Sequence, residues 1–371
     1  MRSTSIQALF LALLSVGQTK PHHGSTPSEL DLIAGQHVIY SYSSADPPQE
    51  LIDLTRQGLV GGILLYDLHI NEQTPAKMAE LLDAYNESPA RRLLRKKYGR
   101  DTSLLIMTNQ EGGTIFKPLP GYGPDETARE VGASKNPSKA GAKAGREASD
   151  ALKAYNINVN LAPVMGVYRE PGDFLDNHGR SYGTTPKQVI DAAVPFIKEQ
   201  RKRDILVTIK HFPGLGAAKV EENTDLVPVT LNVPLEELES VDTATFAAAI
   251  RSGVDMVMAS WAIYPAVDDM PAGLSKTWMK KWLRGKFGFK GVTITEAMEA
   301  GSILPYGDIK ERSKLAFNAG NDLILASQLN VTEGVEIRQT LVDAVKSGEI
   351  SRRDFDEATR RVVDLRSRAW N

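Results

Sequence analysis

Short apolar runs of strand length recur along the chain, separated by longer stretches in which apolar residues return at helical spacing. The runs read as strands over His37–Tyr42, Gly62–Tyr66, Ser103–Thr108, Asn156–Leu161, Ile205–Lys210, Met256–Ser260, Gly291–Thr295 and Asp322–Ala326. The run from Ile205 to Thr208 is apolar without alternation, as expected of a strand buried on both faces. Helical spacing falls between the strands, over Pro75–Tyr85, Ala140–Tyr155, Pro186–Lys202, Leu235–Ser252, Ile309–Ala319 and Val335–Ser347. Strand and helix in alternation predict a parallel sheet. Eight such units within about 300 residues are what a single-domain (β/α)8 barrel of the TIM type requires, and a doubly wound open sheet is the alternative. A last helical stretch, Arg352–Trp370, carries Phe355, Ala358, Val362, Val363 and Leu365 at nearly helical spacing. It is expected to pack on the outside of the barrel.

At 371 residues, 42% hydrophobic and 24% charged, the chain is long enough for one large barrel or two ordinary domains. Its net charge of −2 comes from interspersed residues of both signs, with no basic stripe to displace counterions, so no nucleic-acid partner is expected. The N-terminus has Arg2, the apolar stretch Ile6–Val16, and small residues at Ser15 and Gly17. That layout reads as a secretory signal over residues 1–17, followed by a linker over 18–30 and the barrel over 31–371. The apolar stretch is too short to span a bilayer, so a secreted protein without a stable membrane span is expected. The absence of cysteine excludes disulfides, zinc–thiolate sites and cysteine nucleophiles. His22 and His23 have no further ligand-type residue at suitable spacing and are assigned to the linker, so no metal is expected.

The chemistry-bearing residues sit where strands end. Lys210 and His211 close the fifth strand, just before the turn Phe212-Pro213-Gly214-Leu215-Gly216, and a charged pair after a buried run can meet water only where the strand leaves the core. The seventh strand runs into Glu296, and an acidic loop carrying Glu221, Glu222 and Asp225 follows the fifth. Carboxyl groups gathered at strand exits are candidates for acid–base or nucleophilic work. No G-x-G-x-x-G follows the first strand, and Ser327-Gln328-Leu329-Asn330 is poor in glycine, which weighs against a nucleotide- or phosphate-binding barrel.

Lys210-His211-Phe212-Pro213-Gly214-Leu215-Gly216, with what surrounds it, resembles the K-H-F-P-G-H-G signature of glycoside hydrolase family 3, in its single-domain β-N-acetylhexosaminidase branch. Four further landmarks follow the same order. Asn109-Gln110-Glu111-Gly112-Gly113 resembles D-x-E-G-G, and Leu161-Ala162-Pro163-Val164-Met165-Gly166-Val167 resembles L-A-P-V-x-D-V. Arg180-Ser181-Tyr182-Gly183 resembles R-S-[FY]-G, and Gly291–Met298 resembles the segment that ends in the nucleophilic Asp. The resemblance implies a (β/α)8 barrel that hydrolyses O-glycosyl bonds of terminal β-N-acetylhexosaminides by a retaining mechanism, with a carbohydrate partner and neither metal nor organic cofactor. It makes Glu296 the nucleophile and Asn109, Lys117, Arg180, Lys210 and His211 the ligands of the sugar.

The departures from the family are specific. Glu296 stands for the nucleophilic Asp, Asn109 and Gly166 for two other Asp residues, and Lys117 for an Arg. The family's acid/base His has no counterpart: alignment puts Asn223 or Thr224 there, and a loop carboxyl among Glu221, Glu222 and Asp225 is expected to donate the proton instead, with Glu221 or Glu222 favoured. The alternative reading is a catalytically silent sugar-binding member of the same family.

Overall fold

The computed structural model describes residues 26–114 and 117–370. The expected signal segment therefore lies outside the described residues. Eight parallel strands close into a barrel: β1 (Val38–Tyr40), β2 (Gly62–Leu64), β3 (Leu105–Thr108), β4 (Val159–Asn160), β5 (Leu206–Phe212), β6 (Met256–Ala259), β9 (Val292–Ala297) and β10 (Leu323–Leu325). Between β6 and β9 lies a two-stranded antiparallel excursion, β7 (Ile263–Tyr264) and β8 (Asp268–Pro271). The eight expected strands all form, each a little shorter than or shifted from its apolar run.

Successive strand residues point to opposite faces, and the barrel uses both. Ile39, Leu64, Leu105, Met107, Val159, Leu206, Met256, Val292, Ile294 and Leu323 fill the interior. Their neighbours Val38, Ile63, Ile106 and Ile324 meet helices on one side of the barrel, and Val207, Ile209 and Val257 meet helices on the other. This two-sided burial is why the strands read as continuous apolar runs.

Two expectations are revised. A helix begins at Glu29, inside the segment read as linker, because Ser28 caps it: the Asp31 amide donates to the Ser28 hydroxyl, and the Ser28 amide donates back to the Asp31 carboxylate. Such a reciprocal cap fixes a helix start whatever the polarity of its surroundings. The helix Arg352–Arg366 does not lie on the outside of the barrel. Its Val362 and Leu365 join the interior cluster, and the segment closes the N-terminal end of the barrel. Arg361 bonds Asp322 just before β10 (2.8 Å), the Arg366 Nε donates to the Ser103 carbonyl (2.7 Å), and Arg368 pairs with Asp255 just before β6. Among the described residues no helix is long and apolar enough to cross a membrane.

Asp322 is the hub of that closure. Its buried carboxylate also receives Arg284 (2.6 Å) and the Thr293 amide (3.0 Å). Burial opposes its ionisation, but Arg284 and Arg361 outweigh burial and hold it below the usual carboxylate range. Removing one member of such a cluster leaves buried charge uncompensated. Asp322→Ala is expected to destabilise the protein by about 3–5 kcal/mol, measured by urea unfolding.

Candidate active site

A cavity of about 830 Å3 opens at the C-terminal ends of the strands, lined by residues from the exits of β2, β3, β5, β9 and β10. This is the end of a parallel barrel where loop residues converge. Asn109, Arg180, Lys210, His211, Thr224, Asp225 and Glu296 line it together with Tyr66, Asp67, Leu68, Phe174 and Met258.

The wall built by β3 is fixed from behind. Asn160, at the end of β4, accepts from the Gln110 amide (2.9 Å) and donates to the Gln110 carbonyl (3.0 Å), clamping the backbone between Asn109 and Glu111. Glu111 is buried and holds two cations: Arg180 grips it with Nε (3.0 Å) and Nη2 (2.8 Å), and Lys210 Nζ lies 2.6 Å from its Oε1. Lys210 also donates to Asn109 Oδ1 (2.7 Å). Burial would raise the Glu111 carboxyl, but Arg180 and Lys210 bring it down to about 2. Burial takes the Lys210 ammonium down to about 8 against the pull of Glu111. Because a carboxylate depressed in the folded state binds its proton less readily there, Glu111 stabilises the site above the ordinary carboxylate range and ceases to as pH falls toward 2.

Lys210 and His211 are consecutive, yet both reach the cavity. The pairing of β5 with β6 slips between Ile209 and Phe212, and this irregularity breaks the alternation of faces. His211 Nε2 stands 3.6 Å from Glu296 Oε1. Burial, with the nearby Arg180 and Lys210 charges, drops the imidazole well below its usual range, so it is neutral at physiological pH. Among the described residues its Nδ1 is buried without a hydrogen-bond partner. Glu296 itself is 8% exposed, and its Oε2 accepts from the Trp261 amide (2.8 Å). Burial, then the Asp225 charge, push its carboxyl up to about 8; the Trp261 amide, Arg180 and Lys210 pull the other way.

Other expected site residues lie elsewhere. Lys117 pairs with Asp125 and is not among the residues lining the cavity. Glu221 is exposed, and Glu222 accepts from the Lys219 amide (2.7 Å) to form a turn within its own loop, so neither reaches the cavity. That correction has a local cause: the loop turns Thr224 and Asp225 inward. At Gly166, a Cβ would stand 2.3 Å from Leu175 Cδ1, so Leu175 fills the space that the family's Asp side chain needs. Tyr66 and Asp67 were missed because they follow a strand exit without a recognisable motif. Asn160 was missed because it sits inside an apolar run, and its polarity within that run was the available signal.

A buried carboxyl facing fixed cationic donors at the C-terminal mouth of a parallel barrel is an arrangement of barrel enzymes that act on polar small molecules. The family model described as glycosyl hydrolase family 3 N terminal domain matches residues 29–365, and the chain belongs to that family. It is 44% identical over 341 residues to an uncharacterised secreted glycosyl hydrolase of Arthroderma benhamiae, covering 92% of this chain and 94% of that protein. Among solved structures, a family 3 β-N-acetylglucosaminidase from Paenibacillus superposes with TM-score 0.82 at 28% identity, covering 92% of this chain but only 63% of that longer one. A β-N-acetylhexosaminidase from Beutenbergia cavernae superposes with TM-score 0.79 at 28% identity, covering 92% of this chain and 99% of that one.

The raised Glu296 carboxyl has a consequence for stability. Below its ordinary value of 4.5 the group is protonated in folded and unfolded chain alike; between 4.5 and about 8 only the unfolded chain ionises freely, so stability is lost across that window as pH rises. Glu296→Gln, which carries no such charge, is expected to match the native protein at about pH 5 and to exceed it by a few kcal/mol at about pH 9, at ~1.4 kcal/mol per pKa unit. Urea unfolding of both proteins at the two pH values measures the gap.

Proposed function

We propose that the protein is an exported retaining glycosidase that hydrolyses terminal β-N-acetylhexosaminides, with Glu296 as the nucleophile. The observation that carries this reading is the placement of Glu296 at the end of β9, inside the cavity that Asn109, Arg180, Lys210 and His211 also line. Family membership and the activities of the Paenibacillus and Beutenbergia proteins support the substrate class, and the secreted Arthroderma relative supports export.

Arg180 and Lys210 are charged donors of fixed direction, suited to sugar hydroxyls because charge-assisted bonds are short and oriented. Their shared anchor, Glu111, keeps them from collapsing onto Glu296. Asn109 accepts from Lys210, leaving its amide NH2 to donate to a hydroxyl. With Glu296 Oε2 held by the Trp261 amide, Oε1 is the oxygen left to attack the anomeric carbon. The extra methylene of Glu relative to Asp is thus taken up by a carboxyl with a defined anchor. A retaining reaction needs that carboxylate ionised. Before sugar binds, burial favours its protonated form, so binding has to shift the proton off Glu296.

The protonated state of Glu296 before sugar binds favours a second reading, a silent sugar-binding protein. The two readings separate in one experiment: release of aryl alcohol from β-N-acetylglucosaminide and β-glucoside substrates, beside Glu296→Ala. The expected outcome is turnover, greater on the N-acetylglucosaminide, that falls on the order of 10³-fold or more in the variant. Absence of turnover on every substrate, with sugar binding still measurable by calorimetry, would establish the silent reading.

A further inference from the structure

The hydrolytic reading leaves one part unassigned, the group that protonates the leaving oxygen. The family's loop His is absent from this chain, and the two loop acids that sequence favoured do not reach the cavity. His211 is a poor proton donor here, because it lies against Glu296, on the side of the attacking oxygen, and is neutral. The Tyr66 phenol donates to the Ser327 carbonyl (3.3 Å), and burial raises it further above its already high range.

Asp225 has the placement that proton donation requires. It follows β5 on the same loop and lines the cavity with Glu296. Its backbone is tethered at both ends: its amide donates to Asn223 Oδ1 (2.9 Å), and its carbonyl accepts from the Gly301 amide (2.8 Å). The preceding Thr224 carbonyl accepts from the Ser302 amide (3.1 Å), so the loop is fastened to the segment that follows the Glu296 strand. Contact there is close enough that a Cβ on Gly301 would stand 2.1 Å from the Leu226 carbonyl oxygen.

The Asp225 carboxyl, by contrast, makes no hydrogen bond or ion pair among the described residues. Glu111 is bound by two cations and Glu296 by an amide, so neither is free in this way. Asp67 also lines the cavity, but Asp225 is the carboxyl whose charge acts on Glu296, and it acts on Arg180, Glu299 and Tyr66 as well. Although the residue is exposed on its loop, its carboxyl is crowded by the cavity, and that desolvation raises it while Arg180 and Lys210 partly offset the effect.

We propose that Asp225 is the acid and base of this enzyme, a loop carboxyl in the role the family gives to histidine. The proposal rests on the hydrolytic reading with Glu296 as nucleophile. In the first step Glu296 Oε1 bonds the anomeric carbon, the bond to the leaving oxygen breaks, and the Asp225 proton passes to that oxygen. In the second, the Asp225 carboxylate takes a proton from water as the water oxygen bonds the anomeric carbon and Glu296 departs as carboxylate. Asp225 ends protonated, ready for the next cycle.

The working state needs one proton on the pair, carried by Asp225 while Glu296 is ionised, and the groups facing the pair are Arg180, Lys210, His211, Glu299 and Tyr66. Loss of that proton therefore sets the alkaline limb of kcat/KM in the native enzyme.

The test compares Asp225→Ala and Asp225→Asn with native protein on an unactivated disaccharide and on a dinitrophenyl β-N-acetylglucosaminide. Expected are a 10²–10⁴-fold loss on the disaccharide, as for removal of a general acid, and little loss in the first turnover of the activated substrate. Azide should restore turnover of the variants and yield a β-glycosyl azide, and the alkaline limb should vanish. Equal loss on both substrates without azide product, or the azide signature in Asp67→Ala instead, would overturn the assignment. Glu222→Gln, on the same loop but outside the cavity, should behave as native. Calorimetric sugar binding by the variants reports that they are folded. A native protein that turns over neither substrate would instead sink the hydrolytic reading, and this proposal with it.

Discussion

Glu111 sits where two cations that would otherwise repel each other have to be held side by side in a buried wall. Arg180 comes from the loop after β4, Lys210 from β5 and Glu111 from the exit of β3, so one carboxylate ties three segments together. Burying an unpaired charge is costly, whereas a bidentate guanidinium pair with a second cation offsets much of the desolvation. The rest of the site takes its geometry from this knot. Asn109 is positioned through Lys210, and the Asn160 clamp keeps Glu111 in reach. On the opposite side, Glu296 has no ion pair of comparable closeness, and its carboxyl shifts the other way for that reason. A carboxylate in the wall, lowered to about 2 by its two cations, thus stands behind a cavity carboxyl that burial raises to about 8. Environments that drive like groups apart in this way are how sites divide binding from chemistry.

The barrel was legible because its signal is collective. Eight buried strands spaced by helices leave few alternatives, and one misread boundary does not disturb the count. The C-terminal helix was misplaced because an amphipathic pattern records that one face is covered and not by what. Phe355 and Ala358 pack with the helix-facing cluster while Val362 and Leu365 enter the barrel, and no local pattern distinguishes those fates.

The candidate site residues next to strand ends meet in space. Arg180, Lys210, His211, Asn109 and Glu296 converge on one cavity from different segments. The loop after β5 was the harder part. Glu221, Glu222 and Asp225 are chemically alike and lie within five residues, and the direction of each depends on two backbone bonds to the segment 301–302. Those bonds join parts of the chain about as far apart as β5 is from the end of β9, and spacing within the loop carries no record of them. Lys117 is a similar case, diverted by Asp125 eight residues away.

The closure of the barrel bottom bears on how the protein comes to be folded. Arg366 and Ser103 are 263 positions apart, and Arg361 joins the carboxylate that precedes the last strand. During synthesis Asp322 and Asp255 precede Arg361 and Arg368, and until those arginines arrive Arg284 and Arg201 are the cations that meet them. A chain that has completed every strand still lacks the helix that covers this end and the second cation on each carboxylate. Its consolidation therefore belongs to the moments after the last helix is released, and contacts of such long range make that step slow.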